Sequence, residues 1–249
     1  MARYKLTVEY NGASYFGWQR QPDLATIQGA LEDAATKLDG EAVTVRGAGR
    51  TDAGVHATGQ VAEMDLSKAR PIHKIADAMN YHLRPQPIAV LKVEAVSDAF
   101  SARFDALTRY YRYLICNRRA DLTLQRGLAW RVPMALDADA MDAAAQQLVG
   151  VHDFSTFRDS ECQAKSPVRT LDAIKVTRSG DMIEVTCHAQ SFLHRQVRSM
   201  VGSLVDVGRG KRPSEWISEI LEARDRKACG PVAPSDGLYL ERVVYPGDE

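Results

Sequence analysis

The sequence predicts a mixed α/β protein built from two similar halves, on three observations. Segments whose apolar residues alternate every second position recur along the chain, separated by segments with apolar steps of three and four. In the first 105 residues they run strand, helix, strand, strand, helix, strand, and from residue 106 the same order returns. A β-α-β-β-α-β run is the split βαβ unit of ferredoxin-like folds. The expected organisation is an N-terminal α/β domain over 1–105 and a C-terminal α/β domain over 106–249, with mainly antiparallel sheets and a central catalytic cleft. The repeat is one of element order, since the halves share no clear sequence identity.

The first strand is expected over Arg3 to Tyr10, where Tyr4, Leu6, Val8 and Tyr10 fall on one side. Asn11-Gly12 ends it, and an aromatic, amide-rich loop follows, Tyr15-Phe16-Gly17-Trp18-Gln19-Arg20-Gln21-Pro22. Such a loop either covers a core edge or stacks on bases. Thr26 is a good N-cap for a helix with Ile27, Ala30, Leu31, Ala34, Ala35 and Leu38 on its inner face, closed by Gly40. Strands over 43–46 and 61–66 flank the loop from Gly47 to Gly59. Ile72, Ile75, Ala76, Met79 and Leu83 mark a second helix, and Pro85 and Pro87 break the chain before a strand over 88–96.

In the second half, Arg109 to Cys116 alternates Tyr111, Tyr113 and Ile115 inward, and Asp137 caps a helix through Leu148. A hairpin is expected over 171–189, turning at Ser179-Gly180-Asp181. A helix from Ser191 to Val207, another from Pro213 to Ala223 and a closing strand over 237–244 complete the order. The stretch 150–169 reads as an inserted loop.

With 249 residues, 45% apolar and 26% charged, the chain has the composition of a globular protein. No apolar run approaches the roughly 18 residues of a membrane span, and the start, MARYKLTVEYNG, lacks the apolar stretch of a secretory signal. The expectation is a cytoplasmic protein without membrane contact. Cys116, Cys162, Cys187 and Cys229 show no CxxC pair and no histidine at ligand spacing, so neither disulfides nor a metal is expected. Net charge is zero, yet seven arginines lie between Ser101 and Pro133 (103, 109, 112, 118, 119, 126 and 131) against Asp105 and Asp121. Five basic residues lie between Arg195 and Arg212 against Asp206. Such tracts are either solvated surface or a face for a polyanion.

The stretch GAGRTDAGVHATG, residues 47–59, places Arg50, Asp52 and His56 among four glycines that allow sharp reversals. Asp52 either caps a turn or does chemistry. A nucleophilic aspartate must stay ionised in a dry site, which calls for a nearby cation. Arg198 fits that part: on the helix from Ser191 it flanks the apolar stripe of Leu193, Val197, Met200, Val201 and Leu204. Arg50 is too close in sequence for that role and suits phosphate instead.

GRTDAGVHATGQV resembles the catalytic loop of the tRNA pseudouridine synthase A family. The similarity extends in order through YNGASYFGWQRQP, FSARFDALTRYYRY, HDFSTFR, SFLHRQVRSMVGSLVDVG and GLYLERVVYP, nearly the whole chain. The resemblance implies isomerisation of uridines 38, 39 and 40 in the anticodon stem-loop of tRNA, with no cofactor. It implies Asp52 as the nucleophile, Arg198 as its basic partner, and Tyr111 against the flipped base. It also implies a homodimer in which one tRNA touches both subunits. Tyr111 is preferred to Tyr110 because Tyr111-Arg112-Tyr113 keeps the Y-x-Y spacing that puts both rings on one face of a strand.

Other classes fit less well. A non-catalytic RNA-binding protein of the same fold has no use for Asp52. A glycoside or nucleoside hydrolase usually needs a second carboxylate, for which only Asp65 or Asp105 offers itself, and GAGRTDAG lacks the lysine of a P-loop.

Overall fold

The computed structural model describes residues 1–248. The chain divides into two compact units, Met1–Leu107 joined by the chain from Tyr239 on, and Thr108–Leu238.

In the first unit, β1 (Ala2–Tyr10) buries Tyr4, Leu6, Val8 and Tyr10, the face its alternation predicts. Lys5, expected outside, is buried too. Its ammonium lies 4.5 Å from the Tyr245 ring centre and 3.1 Å from the Asp248 carboxylate, and these replace its water. Thr26 caps α1 (Ile27–Asp39) by accepting from the Gly29 N–H at 3.2 Å, and Ile27, Leu31, Ala34 and Ala35 are buried. β2 (Val45–Gly47), β3 (His56–Leu66), α2 (Ile72–Leu83) and β4 (Ile88–Ala95) follow. Strand order β4-β1-β3, with β2 on the far edge of β3, is that of a split βαβ unit, all antiparallel. β3 starts at His56 rather than at the expected Val61, so the connection from β2 is shorter than the glycine spacing suggested. Every residue from His56 to Met64 except Thr58 is buried, which masks the alternation that would have marked the strand.

The second unit contains β5 (Thr108–Cys116), β6 (Trp130–Arg131), α3 (Ala138–Ala145), β7 (Gly150–Asp153), β8 (Val168–Ser179), β9 (Met182–Ala189), α4 (Gln196–Gly208) and α5 (Trp216–Ala223). Its sheet runs β5-β9-β8-β7, antiparallel throughout, with the short β6 parallel to β5. The order β5-β9-β8 matches β1-β3-β2 of the first unit. The stretch 150–169 is not a bare loop: β7 adds a strand to β8, and a short 3-10 helix follows at Ser155–Phe157. Two helix starts also differ from expectation. α4 begins at Gln196 rather than Ser191, because Arg195 takes a left-handed φ of 58° and the Gln196 side chain accepts from the Leu193 N–H at 2.8 Å. α5 begins at Trp216 rather than Pro213, whose carbonyl instead closes a turn with the Trp216 N–H at 3.2 Å.

The last strand, β10 (Leu238–Val244), stands where the closing strand over 237–244 was expected. From Tyr239 it belongs to the first unit, where it runs parallel to the start of β3, Tyr239 opposite His56 and Leu240 opposite Ala57. One edge of β3 is thus shared, by β2 at residues 62–64 and by β10 at residues 56–57.

Candidate active site

In the first unit, Asp52 sits between β2 and β3 on a segment whose backbone is tied on both sides. The Val55 N–H donates to the Asp52 carbonyl at 3.1 Å, closing a tight turn, and Gly54 takes the positive φ of 78° that this turn asks of its third residue. Trp18 N–H donates to the Thr51 carbonyl at 3.0 Å, and Gly54 N–H to the Tyr15 carbonyl at 3.2 Å. Thr51 is buried, Asp52 is half-buried and Arg50 is exposed. The Thr51 hydroxyl is inside the protein, against Tyr10, whereas Asp52 keeps part of its surface exposed.

The aromatic loop of residues 15–22 supports this segment. Trp18 is buried and its ring lies 6.2 Å from that of Tyr10. Beneath it, the buried Gln28 and Glu32 of α1 form a polar hub. Gln28 accepts from the Gln19 amide at 2.8 Å and donates to Glu32 at 2.9 Å, and Glu32 accepts from the Val45 N–H at 3.1 Å and from Arg20 at 2.9 Å. Of the two readings of this loop, the covering of a core edge describes Trp18, while Gln19 and Arg20 are exposed. Phe16 remains largely exposed. His56 serves structure: its Nδ1 accepts from the Gly12 N–H at 3.1 Å, and its ring stacks 4.8 Å from that of Tyr239.

In the second unit, Tyr111 and Tyr113 occupy one face of β5, as the Y-x-Y spacing requires. Tyr111 is half-buried, with its ring edge-to-face against Phe192 at 5.1 Å. Tyr110, on the other face, stacks on His188 at 4.6 Å. Tyr113 is fully buried and donates to the Pro234 carbonyl at 2.7 Å, and burial pushes its phenol well above the ordinary value, with Arg198 opposing that shift. Arg198 stands half-buried on α4, whose Val197, Met200, Val201 and Leu204 are buried. Its Nε donates to the Ala233 carbonyl at 2.8 Å, and its own carbonyl accepts from the Ala233 N–H at 3.0 Å. Gly202, one turn on, lets the same segment press against α4, since a Cβ there would stand 1.7 Å from the Pro231 carbonyl oxygen. The stretch 231–234 therefore fixes Arg198 and Tyr113 together.

The structure brings Arg50 and Asp52 together on one loop, and places Tyr111 and Arg198 in the other unit. Three buried residues at the loop, Tyr10, Thr51 and Gln60, were not singled out from the sequence. A glutamine inside the almost wholly buried start of β3 carries no such mark in the sequence. The arginine-rich stretch 103–131 is largely occupied with its surroundings. Arg118, Arg126 and Arg131 donate to the carbonyls of Asp121, Leu122 and Ala120 at 3.1, 3.3 and 3.1 Å, Arg109 donates to that of Gln190, and Arg112 lies 3.6 Å from Glu184.

These features define a class: mixed α/β proteins of two split βαβ units, one presenting a carboxylate on a braced glycine-bounded turn, the other an arginine and a tyrosine on a common support. Comparison with known proteins makes the class specific. The pattern of a family described as tRNA pseudouridine synthase matches residues 6–105 and 144–246. A tRNA pseudouridine synthase A of Hyphomonas neptunium is 67% identical over 246 residues, covering 99% of both chains. Proteins of the same name from Rhodopseudomonas palustris (strain HaA2) and Maricaulis maris are 59% and 58% identical, each over at least 98% of both chains. The chain belongs to the tRNA pseudouridine synthase family, whose members are isomerases. Among the described residues, no helix is long and apolar enough to cross a membrane.

Proposed function

We propose that this protein converts uridines 38, 39 and 40 of the tRNA anticodon stem-loop to pseudouridine, with Asp52 as the nucleophile. The observation that carries the reading is the braced turn at Asp52, which holds a half-buried carboxylate at the rim while its neighbour Thr51 is locked inside. The near-complete identity of chain coverage with the synthase relatives supports it.

In the reaction the N1–C1′ bond of uridine breaks, the uracil turns, a C5–C1′ bond forms, C5 gives up its hydrogen and N1 regains a proton. Nothing is oxidised, and no water is added. The Asp52 carboxylate assists the first step as a nucleophile or by drawing a proton from the sugar, and Arg198 offsets its charge as the site dries. The target base must leave the stack at a cost of a few kcal/mol. Tyr111 offers a ring face to receive it, and Arg50, exposed two residues before Asp52, suits the displaced phosphate backbone. The same reading includes a homodimer acting on tRNA in the cytoplasm.

The test is tritium release from tRNA labelled at uracil C5, wild type against Asp52→Asn, with tRNA binding measured on both. Release by the wild type alone, with binding kept, is the expected result. Equal release by the variant removes Asp52 from the mechanism, and bound tRNA without release from either protein leaves an RNA-binding protein.

A further inference from the structure

A buried polar chain lies directly behind the Asp52 turn, and the chemistry above makes no use of it. Gln60 of β3 is fully buried, and its Nε2 donates to the Gly49 carbonyl at 2.9 Å and to the Tyr10 hydroxyl oxygen at 3.4 Å. The amide thus uses both of its protons. The Tyr10 hydroxyl also shares a hydrogen bond with Thr51 Oγ1 at 2.9 Å. Burial pushes the Tyr10 phenol up to about 12, so it keeps its proton throughout any working pH range.

Such a chain is costly to bury, and an aliphatic core would serve stability at least as well. What it does specifically is grip residues 49 and 51, on either side of Arg50 and immediately before Asp52. The bonds from Trp18 to Thr51, from Gly54 to Tyr15 and from Val55 to Asp52 join backbone to backbone and leave the direction of the Thr51 side chain unset. With Thr51 locked inward, the backbone that carries Asp52, one residue on, is fixed in direction as well. We infer that Tyr10 and Gln60 are positioning residues for this reaction, acting through Thr51 and Gly49 to fix the direction of the Asp52 carboxylate.

This inference rests on the assignment of Asp52, and the experiment separates the two. Tyr10→Phe keeps the ring against Trp18 and removes only the hydroxyl. Thr51→Val and Thr51→Ser form a matched pair, one without and one with the oxygen. Single-turnover rates at saturating tRNA, KM for tRNA and Tm are measured for each, beside Asp52→Asn. The expected result is a rate lower by on the order of 10- to 100-fold in Tyr10→Phe and Thr51→Val. KM for tRNA should stay unchanged, and Thr51→Ser should recover most of the loss. A full rate in Tyr10→Phe with Asp52→Asn inactive overturns the positioning role alone, whereas an active Asp52→Asn overturns the assignment beneath it. If Thr51→Ser is as slow as Thr51→Val, the hydroxyl is not what positions the loop.

Discussion

The Asp52 turn and the α4 helix hold their functional side chains by opposite means. The turn is braced by what side chains supply, the hydroxyls of Tyr10 and Thr51 and the amide of Gln60. Arg198 is held by what a side chain lacks: because Gly202 has no Cβ, the stretch 231–234 lies flat on α4, and Ala233 bonds Arg198 from both its N–H and its carbonyl. A loop tuned by individual polar atoms fails in rate before it fails in fold. A helix packed backbone to backbone fails in fold first.

Gly202→Ala should break that contrast most visibly. The new methyl cannot share space with the Pro231 carbonyl oxygen 1.7 Å away, so the stretch must move off the helix. A loss of about 1–3 kcal/mol is expected by urea denaturation, with activity falling alongside the folded fraction. A variant as stable as wild type but inactive would show that α4, like the loop, is tuned rather than packed. Tyr113→Phe is milder. It leaves the Pro234 carbonyl without its buried donor while Ala233 still holds Arg198, so stability should fall by about 1–2 kcal/mol with the tRNA-saturated rate retained. A large drop in rate without loss of stability would instead make Tyr113 part of the chemistry.

Acid should produce the smallest difference between the units. In the second, three carboxylates are held below the ordinary range. For Asp142, burial works against this but is outweighed by Lys175 and the Val176 N–H; for Asp159, burial is outweighed by the Glu161 N–H and Arg195. Asp153 is held down first by Ser155. In the first unit Asp65 is held down chiefly by its bond to Arg3. Groups with depressed folded values stabilise above their unfolded value, about 3.9, and lose that contribution as pH falls through the folded one. The second unit should therefore loosen first below about pH 4. Fluorescence of Trp130 and Trp216 should change before that of Trp18 in single-tryptophan variants, and the reverse order would show that other groups govern the acid limb.

The elements were legible wherever one face meets water. β1, α1, α2 and β5 stand where alternation or helical spacing put them, because half of each pattern is polar. The start of β3 and the true start of α4 were not legible, since His56–Met64 is buried on both faces and the left-handed Arg195 leaves no mark in composition. The residues of the candidate site were legible as motifs, whereas their supports were not. Gln60, Gly202 and Ala233 matter through contacts with residues far along the chain, and nothing adjacent to them announces this. The arginines of 103–131 show the converse: charge is plain in sequence, but whether it is already satisfied by a neighbouring carbonyl is not.

The return of β10 to β3 has a consequence for how the protein is made. On the ribosome, β3 emerges about a hundred and eighty residues before the strand that pairs with its first two positions. Until residues 239–240 emerge, the strand leading out of the Asp52 turn has an open edge at His56 and Ala57. Pairing of the strand that leaves the Asp52 turn thus waits for β10 to emerge, and a pause in synthesis before residue 238 prolongs the interval in which an unpaired strand can meet another nascent chain.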